Sequence, residues 1–355
     1  MLTHPCAETR GAASLALYGH GMPDEPGASR ASAPGRVTLL GEHTDYNEGC
    51  ALAIATSQRT TVRAGAAARG TVEVASSELG VAATTLAAPS GPPHLLLAVA
   101  LATAAGSPGV RLVVDSELPL GAGLSSSAAY AVATALALGM TGDPVRLATA
   151  CQVAERAAGS DVGLLDQLAV LLASRGCVVD IDFVGPTWTL IHLPGSIGLT
   201  VVDSGERRTI AGSAYRTRRK ECEAAANVVG PLGRAARDSL ASIDDPVLVR
   251  RARHVISECE RVVEARGALA RADLQALGDL VDAGHASLRD DFEASTPLVE
   301  AARERLRRTP GVTGVRLTGA GFGGVLLVVH EPDAAVGIEG HWSGRLEAAD
   351  GAGVS

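Results

Sequence analysis

The sequence predicts an α+β protein of two domains, and three observations carry that expectation. At 355 residues the chain is longer than one typical domain. Strand-like and helix-like stretches mix in both halves without the regular alternation of a doubly wound parallel sheet. Between the two mixtures lies "PGS" at 194–196, a breaker cluster that sets the expected boundary: 1–195 as the first domain, 196–355 as the second.

The elements follow in order. Residues 1–35 are rich in Gly, Pro and Ser and read as loop. Short β-type runs come next: "RVTLL" (36–40), "RTTVRAGA" (59–66), "TVEVASS" (71–77) and "VRLVVDS" (110–116). "PPHLLLAVALATAAG" (92–106) is apolar at helical length. Helical patterns then fill 125–140, 143–159 and 163–174, before strands at 176–183 and 187–193. The second half opens with the strand "GLTVVDS" (198–204). Charged amphipathic helices follow over 212–229, 246–269 and 271–292, then strands at 311–319 and 323–330. The ending "HWSGRLEAADGAGVS" (341–355) reads as a polar, disordered tail. No internal repeat is visible.

Composition narrows the function. With 46% hydrophobic and 20% charged residues the chain reads as soluble and globular. No uninterrupted apolar run reaches membrane-spanning length, and the N-terminus lacks a basic start with a sustained apolar core. A net charge of −8 offers no footprint for nucleic acid. Cys6, Cys50, Cys151, Cys177, Cys222 and Cys259 are scattered, with no CxxC pair, so they read as separate thiols in a reducing cytoplasm. Among 31 basic residues Lys220 is the sole lysine. The P-loop pattern GxxxxGK[ST] is absent, and no lysine is placed to serve a P-loop or a protein-kinase strand.

Four stretches could carry chemistry. "GRVTLLGEHTDYN" (35–47) ends an apolar strand in Glu42, His43, Asp45, Tyr46 and Asn47, more hydrogen-bonding side chains than a turn requires. "ELPLGAGLSSSAAY" (117–130) joins a Gly loop to an Ala-rich helix. Such a junction offers backbone N–H groups and a helix dipole to an anion; an ordinary serine N-cap is the other reading. "RLTGAGFGGVLLVV" (316–329) contains GxGxxG, but a strand follows it, so a dinucleotide fold is not indicated. It is either a turn beside a ligand or a plain glycine-rich hairpin. In "GSDVGLLDQLAVL" (159–171), Asp166 and Gln167 open an apolar helix. Asp166 is either a first-turn partner of the helix dipole or a carboxylate aimed at a substrate hydroxyl.

Together and in this order the stretches resemble the galactokinase branch of the GHMP family of small-molecule kinases. "APGRVTLLGEHTDYNEG" (33–49), "LPLGAGLSSSAA" (118–129) and "GVRLTGAGFGG" (314–324) are similar to its three motifs. "GLLDQ" (163–167), "AGSAYRTRRKECEAA" (211–225) and "HASLRDDFEAS" (285–295) are similar to further galactokinase segments. The resemblance implies a ribosomal protein S5 domain 2-like N-terminal domain, a ferredoxin-like C-terminal domain and a site between them. It implies phosphorylation of galactose at O1 by ATP with Mg²⁺. By the same resemblance Glu42, His43, Asp45 and Tyr215 face the sugar, and Asp166 takes or orients the proton of the reacting hydroxyl with Arg36 beside it. Gly121, Ala122, Gly123, Leu124, Ser125, Ser126 and Ser127 match the loop that wraps the ATP phosphates, and Ser127 and Glu155 are the implied Mg²⁺ ligands. The chain departs from the family's usual residues at Thr38, in place of Asn, and at Ala53, in place of Pro. A kinase for another sugar, such as N-acetylgalactosamine or arabinose, and a non-catalytic sugar and ATP sensor stay open as alternatives. A monomer is expected.

Overall fold

The structure, a computed structural model, describes residues 28–206 and 211–354. The loop-rich reading of 1–27, with Cys6, lies outside the described residues. The chain opens with strands β1 (Ser29–Leu40), β2 (Cys50–Ala66), β3 (Thr71–Ser76) and β4 (Gly80–Thr85), then helix α1 (Pro93–Ala104) and β5 (Val110–Ser116). Helices α2 (Ser126–Ala137), α3 (Pro144–Ala157) and α4 (Leu165–Leu172) come next, followed by β6 (Cys177–Asp182) and β7 (Thr187–His192). The remainder is β8 (Gly198–Asp203), α5 (Ala211–Val229), α6 (Pro246–Ala270), α7 (Leu274–Asp290), α8 (Pro297–Arg307), β9 (Val312–Leu317), β10 (Val325–His330), β11 (Ser343–Arg345) and β12 (Gly353–Val354). No helix among the described residues is long and apolar enough to cross a membrane.

The first sheet runs β12-β1-β2-β5-β3-β4, with β6 joined to β2 and β7 to β6. The second runs β11-β8-β10-β9 and is antiparallel throughout. Each residue of β10 is buried because this sheet is covered on both faces. Val325, Leu327 and Val329 enter the core that contains α1, α2 and the first sheet, whereas Leu326 and Val328 enter a second core with Cys222 of α5 and Leu288 of α7. Helix starts follow their sequence signals. Asp143, Asp245, Asp273 and Thr296 each accept a bond from a first-turn N–H, and Pro144, Pro246 and Pro297 stand at the first helical position.

Several expectations change. β1 begins at Ser29, inside the stretch read as loop, and β2 begins at Cys50 rather than at Arg59. The run Ala51–Ala55 is apolar and wholly buried, so it carries no alternation of apolar and polar residues to read. β4 and α8 were not expected. The tail is not disordered: β11 pairs with β8, and β12 returns to pair with β1 in the first sheet. Leu346 and Ala348 are buried there, and Arg59 donates to the carbonyls of Asp350 and Gly351, each at 2.9 Å.

One irregularity positions the site. The β1–β2 register shifts between Pro34 and Arg36 and again between Thr38 and Leu40. The Arg36 N–H turns to the Leu124 carbonyl at 3.1 Å, and the Thr38 N–H to the Thr318 hydroxyl at 3.2 Å. β1 thereby ties the loop before α2 and the loop after β9 to itself.

Candidate active site

Asp166 stands in the first turn of α4 and serves no capping role. Arg36 donates to its Oδ1 through Nε at 2.8 Å, and the Ser125 hydroxyl donates to its Oδ2 at 2.6 Å. Arg36 also donates through Nη1 to the Gly123 carbonyl at 2.9 Å. Strand β1, the glycine loop before α2 and α4 therefore converge on one carboxylate. Of its side chain 27% remains exposed, enough for a ligand to reach it.

Around Asp166 lies a cavity of about 290 Å³, lined by Arg36, Thr38, Glu42, His43, Asp45, Tyr46 and Tyr215, with Gly319 and Ala320 of the third motif across from them. The polar residues of "GEHTDYN" divide their work. Thr44 donates to the Gly41 and Cys50 carbonyls at 2.8 Å each and Asn47 to the His43 carbonyl at 2.7 Å, so both secure the turn. Glu42, His43, Asp45 and Tyr46 line the cavity. His43 adopts the left-handed conformation (φ 65°), uncommon for a residue with a β-carbon. Its Nδ1 lies 3.0 Å from the Tyr46 hydroxyl, and its ring stacks on Phe292 at 4.2 Å between centroids. Asp45 accepts from the Leu165 N–H at 3.3 Å, and burial together with the charge of Asp166 raises its pKa. A β-carbon at position 163 would fall 1.6 Å from Asp45 Oδ2, so only glycine fits beside this carboxylate. Burial pushes the phenols of Tyr46 and Tyr215 well up, so both stay neutral.

Glu42 is braced from below. Arg316 of β9 donates to Glu42 Oε2 and lies 2.8 Å from Glu258 of α6, with all three side chains buried. The Gly319 N–H donates to Glu42 Oε1 at 3.2 Å, and the Gly41 N–H to Glu258 at 2.9 Å. Burial and the Glu258 charge raise the Glu42 carboxyl to about 7, against the pull of Arg316. Arg316, Arg261 and His254 hold Glu258 well below the usual carboxylate range despite its burial.

Ser125 also takes the left-handed conformation (φ 58°) and makes no side-chain cap on α2. Its hydroxyl goes to Asp166 instead, which removes the ordinary N-cap reading. The first-turn N–H groups of α2 keep no side-chain cap, and the dipole favours an anion there. Beside them Ser127 donates to Glu155 Oε2 at 2.7 Å, and Gln167 donates to Oε1 at 2.6 Å. Burial raises the Glu155 carboxyl to about 7. A second cavity of about 300 Å³ adjoins Ser126 and Ser127 and is walled by Val74, Leu79, Leu97, Val114, Leu120 and Tyr130. Both cavities reach Ser160.

Residues 18–66 match the galactokinase galactose-binding signature, residues 94–174 the N-terminal domain of GHMP kinases, and residues 265–347 their C-terminal domain. The Homo sapiens galactokinase is 35% identical over 357 residues, which covers 91% of this chain and 91% of that one. The chain belongs to the galactokinase family. The Bos taurus galactokinase is 35% identical over 339 residues, 87% of this chain and 86% of its own. In fold the chain is similar to the Lactococcus lactis galactokinase solved with galactose, with a TM-score of 0.85, 23% identity and coverage of 96% and 99%. It is more distantly similar to the Methanococcus jannaschii mevalonate kinase, with a TM-score of 0.66, 16% identity and coverage of 92% and 100%.

Membership of the galactokinase family bears out the resemblance drawn from the motifs, the two-part kinase fold and the reading of the chain as an ATP-dependent kinase. The structure brings Arg36, Asp166, Glu42, His43, Asp45 and Tyr215 around one cavity, and it sets Gly121–Ser127 with Glu155 beside it. Sequence reasoning did not single out Arg316, Glu258, His254 or Phe292. Glu258 and His254 face inward on an otherwise charged amphipathic helix, a pattern that only burial distinguishes. The apolar cavity had no signal, since β3, β5, α1 and the loop before α2 each supply part of it.

Proposed function

We propose that this chain transfers the γ-phosphoryl group of ATP to O1 of D-galactose, giving galactose 1-phosphate and ADP. One observation carries the reading above the others. The Asp166 carboxylate is held by Arg36 on the sugar side and by Ser125 on the phosphate-loop side, where a hydroxyl and an anion would meet. In this reading Asp166 takes the proton of the anomeric hydroxyl or orients it for attack, and Arg36 holds that carboxylate in place and balances charge on the γ-phosphate. Glu42, His43, Asp45 and Tyr215 pair with sugar hydroxyls, which rejects epimers by leaving protein groups unpaired. Each oxygen of Glu42 can accept a further bond beyond those from Arg316 and Gly319.

Gly121–Ser127 receives the phosphates through backbone N–H groups and the α2 dipole, and the apolar cavity receives the base. The donor set beside the loop suits Mg²⁺, because the Ser127 hydroxyl and the Glu155 carboxylate are hard oxygen donors already in contact. No group of three or more His, Cys, Asp or Glu among the described residues could hold a metal alone, so phosphate oxygens and water would complete the shell. When bound, the ion would neutralise charge on the transferring phosphate. The domains of this reading are 1–195 and 196–355, and the site needs residues of both. The reading takes the protein as a cytoplasmic monomer, and the cysteines among the described residues are free thiols.

ADP release with Mg·ATP across galactose, N-acetylgalactosamine, arabinose, glucose and no sugar tests the proposal, with Asp166→Asn as control. Turnover on galactose that the variant loses supports it. Turnover confined to another sugar moves the substrate, and binding of galactose without turnover replaces the kinase by a sensor.

A further inference from the structure

Thr38 lies two positions beyond Arg36 on β1. Pairing with β2 is regular from Arg36 opposite Ala55 to Thr38 opposite Ala53, so the two side chains share a face. Thr38 is wholly buried and lines the same cavity as Arg36, Glu42 and Asp166. Its backbone is satisfied: the N–H donates to the Thr318 hydroxyl at 3.2 Å, and the carbonyl accepts from that hydroxyl at 2.9 Å. Its own hydroxyl has no hydrogen-bond partner among the described residues.

A buried hydroxyl without a partner opposes folding, and valine has the same shape, suits a strand and lacks that cost. We infer that the Thr38 hydroxyl hydrogen-bonds a hydroxyl of the sugar other than the reacting one, and so takes part in reading the substrate's configuration. The inference rests on the sugar-kinase reading above. The reacting hydroxyl belongs to Asp166, which Arg36 and Ser125 hold between the cavity and the glycine loop. Thr38, further along β1 toward Glu42, faces a neighbouring substituent. A threonine hydroxyl both donates and accepts, so it can pair with a sugar hydroxyl in either sense. Ala53, the other departure from the family's usual residues, packs with Leu165 and Leu168 and does not line the cavity. The effect on specificity therefore falls on Thr38.

The test compares wild type, Thr38→Val and Thr38→Ser on galactose and on the monodeoxy galactoses that each lack one non-reacting hydroxyl. Sugar binding is read by calorimetry, turnover by ADP release and stability by thermal unfolding. Thr38→Val is expected to weaken galactose binding about tenfold, as loss of one hydrogen bond does, with KM for ATP unchanged and Tm equal or higher. Thr38→Ser restores binding. For one deoxy sugar the penalty of Thr38→Val disappears, and that sugar names the hydroxyl. Unchanged sugar affinity overturns the inference, as does an equal penalty on every sugar with a lowered Tm, which marks a packing role. Wild-type turnover on galactose tests the kinase reading separately, and the calorimetric comparison decides Thr38 whether or not turnover occurs.

Discussion

The guanidinium of Arg316 donates to the carboxylate of Glu42 across 274 positions of chain, with both side chains buried. It reaches Glu258 as well, so one cation in the second sheet serves the sugar motif and α6 together.

Arg316→Met leaves two buried carboxylates facing each other. Breaking a buried pair in this way costs about 3–5 kcal/mol. The urea midpoint should fall accordingly and sugar binding should go with it. The loss should grow as pH rises, because Glu42, left without its cation while Glu258 keeps Arg261, stays protonated only at lower pH. A Met variant with native stability above neutrality would sink the assignment of Arg316 as the brace.

Asp166→Asn keeps the shape of the side chain but removes the proton acceptor. Turnover should fall by about 10²–10⁴, the range for a lost general base. Galactose affinity should stay within a few-fold. Single-turnover kinetics beside calorimetry separates the two; near-normal turnover excludes Asp166 as the base.

Gly163→Ala places a methyl group where Asp45 Oδ2 already lies. Asp45 must then swing away, so KM for galactose should rise while KM for ATP holds. An equal rise in both would point to a general disturbance of the loop.

In the proposed reading Glu155 links metal to pH. Its carboxyl sits at about 7 when folded, against an ordinary value of 4.5. The folded state binds this proton more tightly, so the stabilisation is complete below 4.5 and is lost as pH rises through 7. A cation needs the ionised form, so apparent Mg²⁺ affinity should rise as pH increases through neutrality. Titrating activity with Mg²⁺ on either side of neutrality checks this, and Glu155→Gln should flatten the dependence.

Leu79 lines the apolar cavity while 47% exposed, so it can be changed without opening the core. Leu79→Asp should raise KM for ATP and leave KM for galactose alone. The reverse pattern would move the base elsewhere.

The candidate site was legible in unusual detail because its groups occur in dense local clusters. Glu42, His43 and Asp45 crowd one turn, and Gly121–Ser127 run into a helix whose Ala-rich face packs on β1 and β2. The C-terminal tail was misread for the opposite reason. Leu346 and Ala348 are buried apolar anchors in a polar stretch, and their value appears only where β11 and β12 find edges to pair with.

By itself the sequence determined the α+β class, most of the helices and strands, the three motifs and the residues that gather around the candidate site. These follow from backbone propensity, periodicity and side-chain chemistry among near neighbours. Tertiary structure alone decided that Arg316 braces Glu42, that Gly163 makes room for Asp45, and that the Ser125 hydroxyl serves Asp166 rather than its helix. It also left the Thr38 hydroxyl without a partner among the described residues at the cavity wall. The physical reason is common to all four. Each depends on which distant segments meet when apolar area is buried, and no short-range pattern records that meeting.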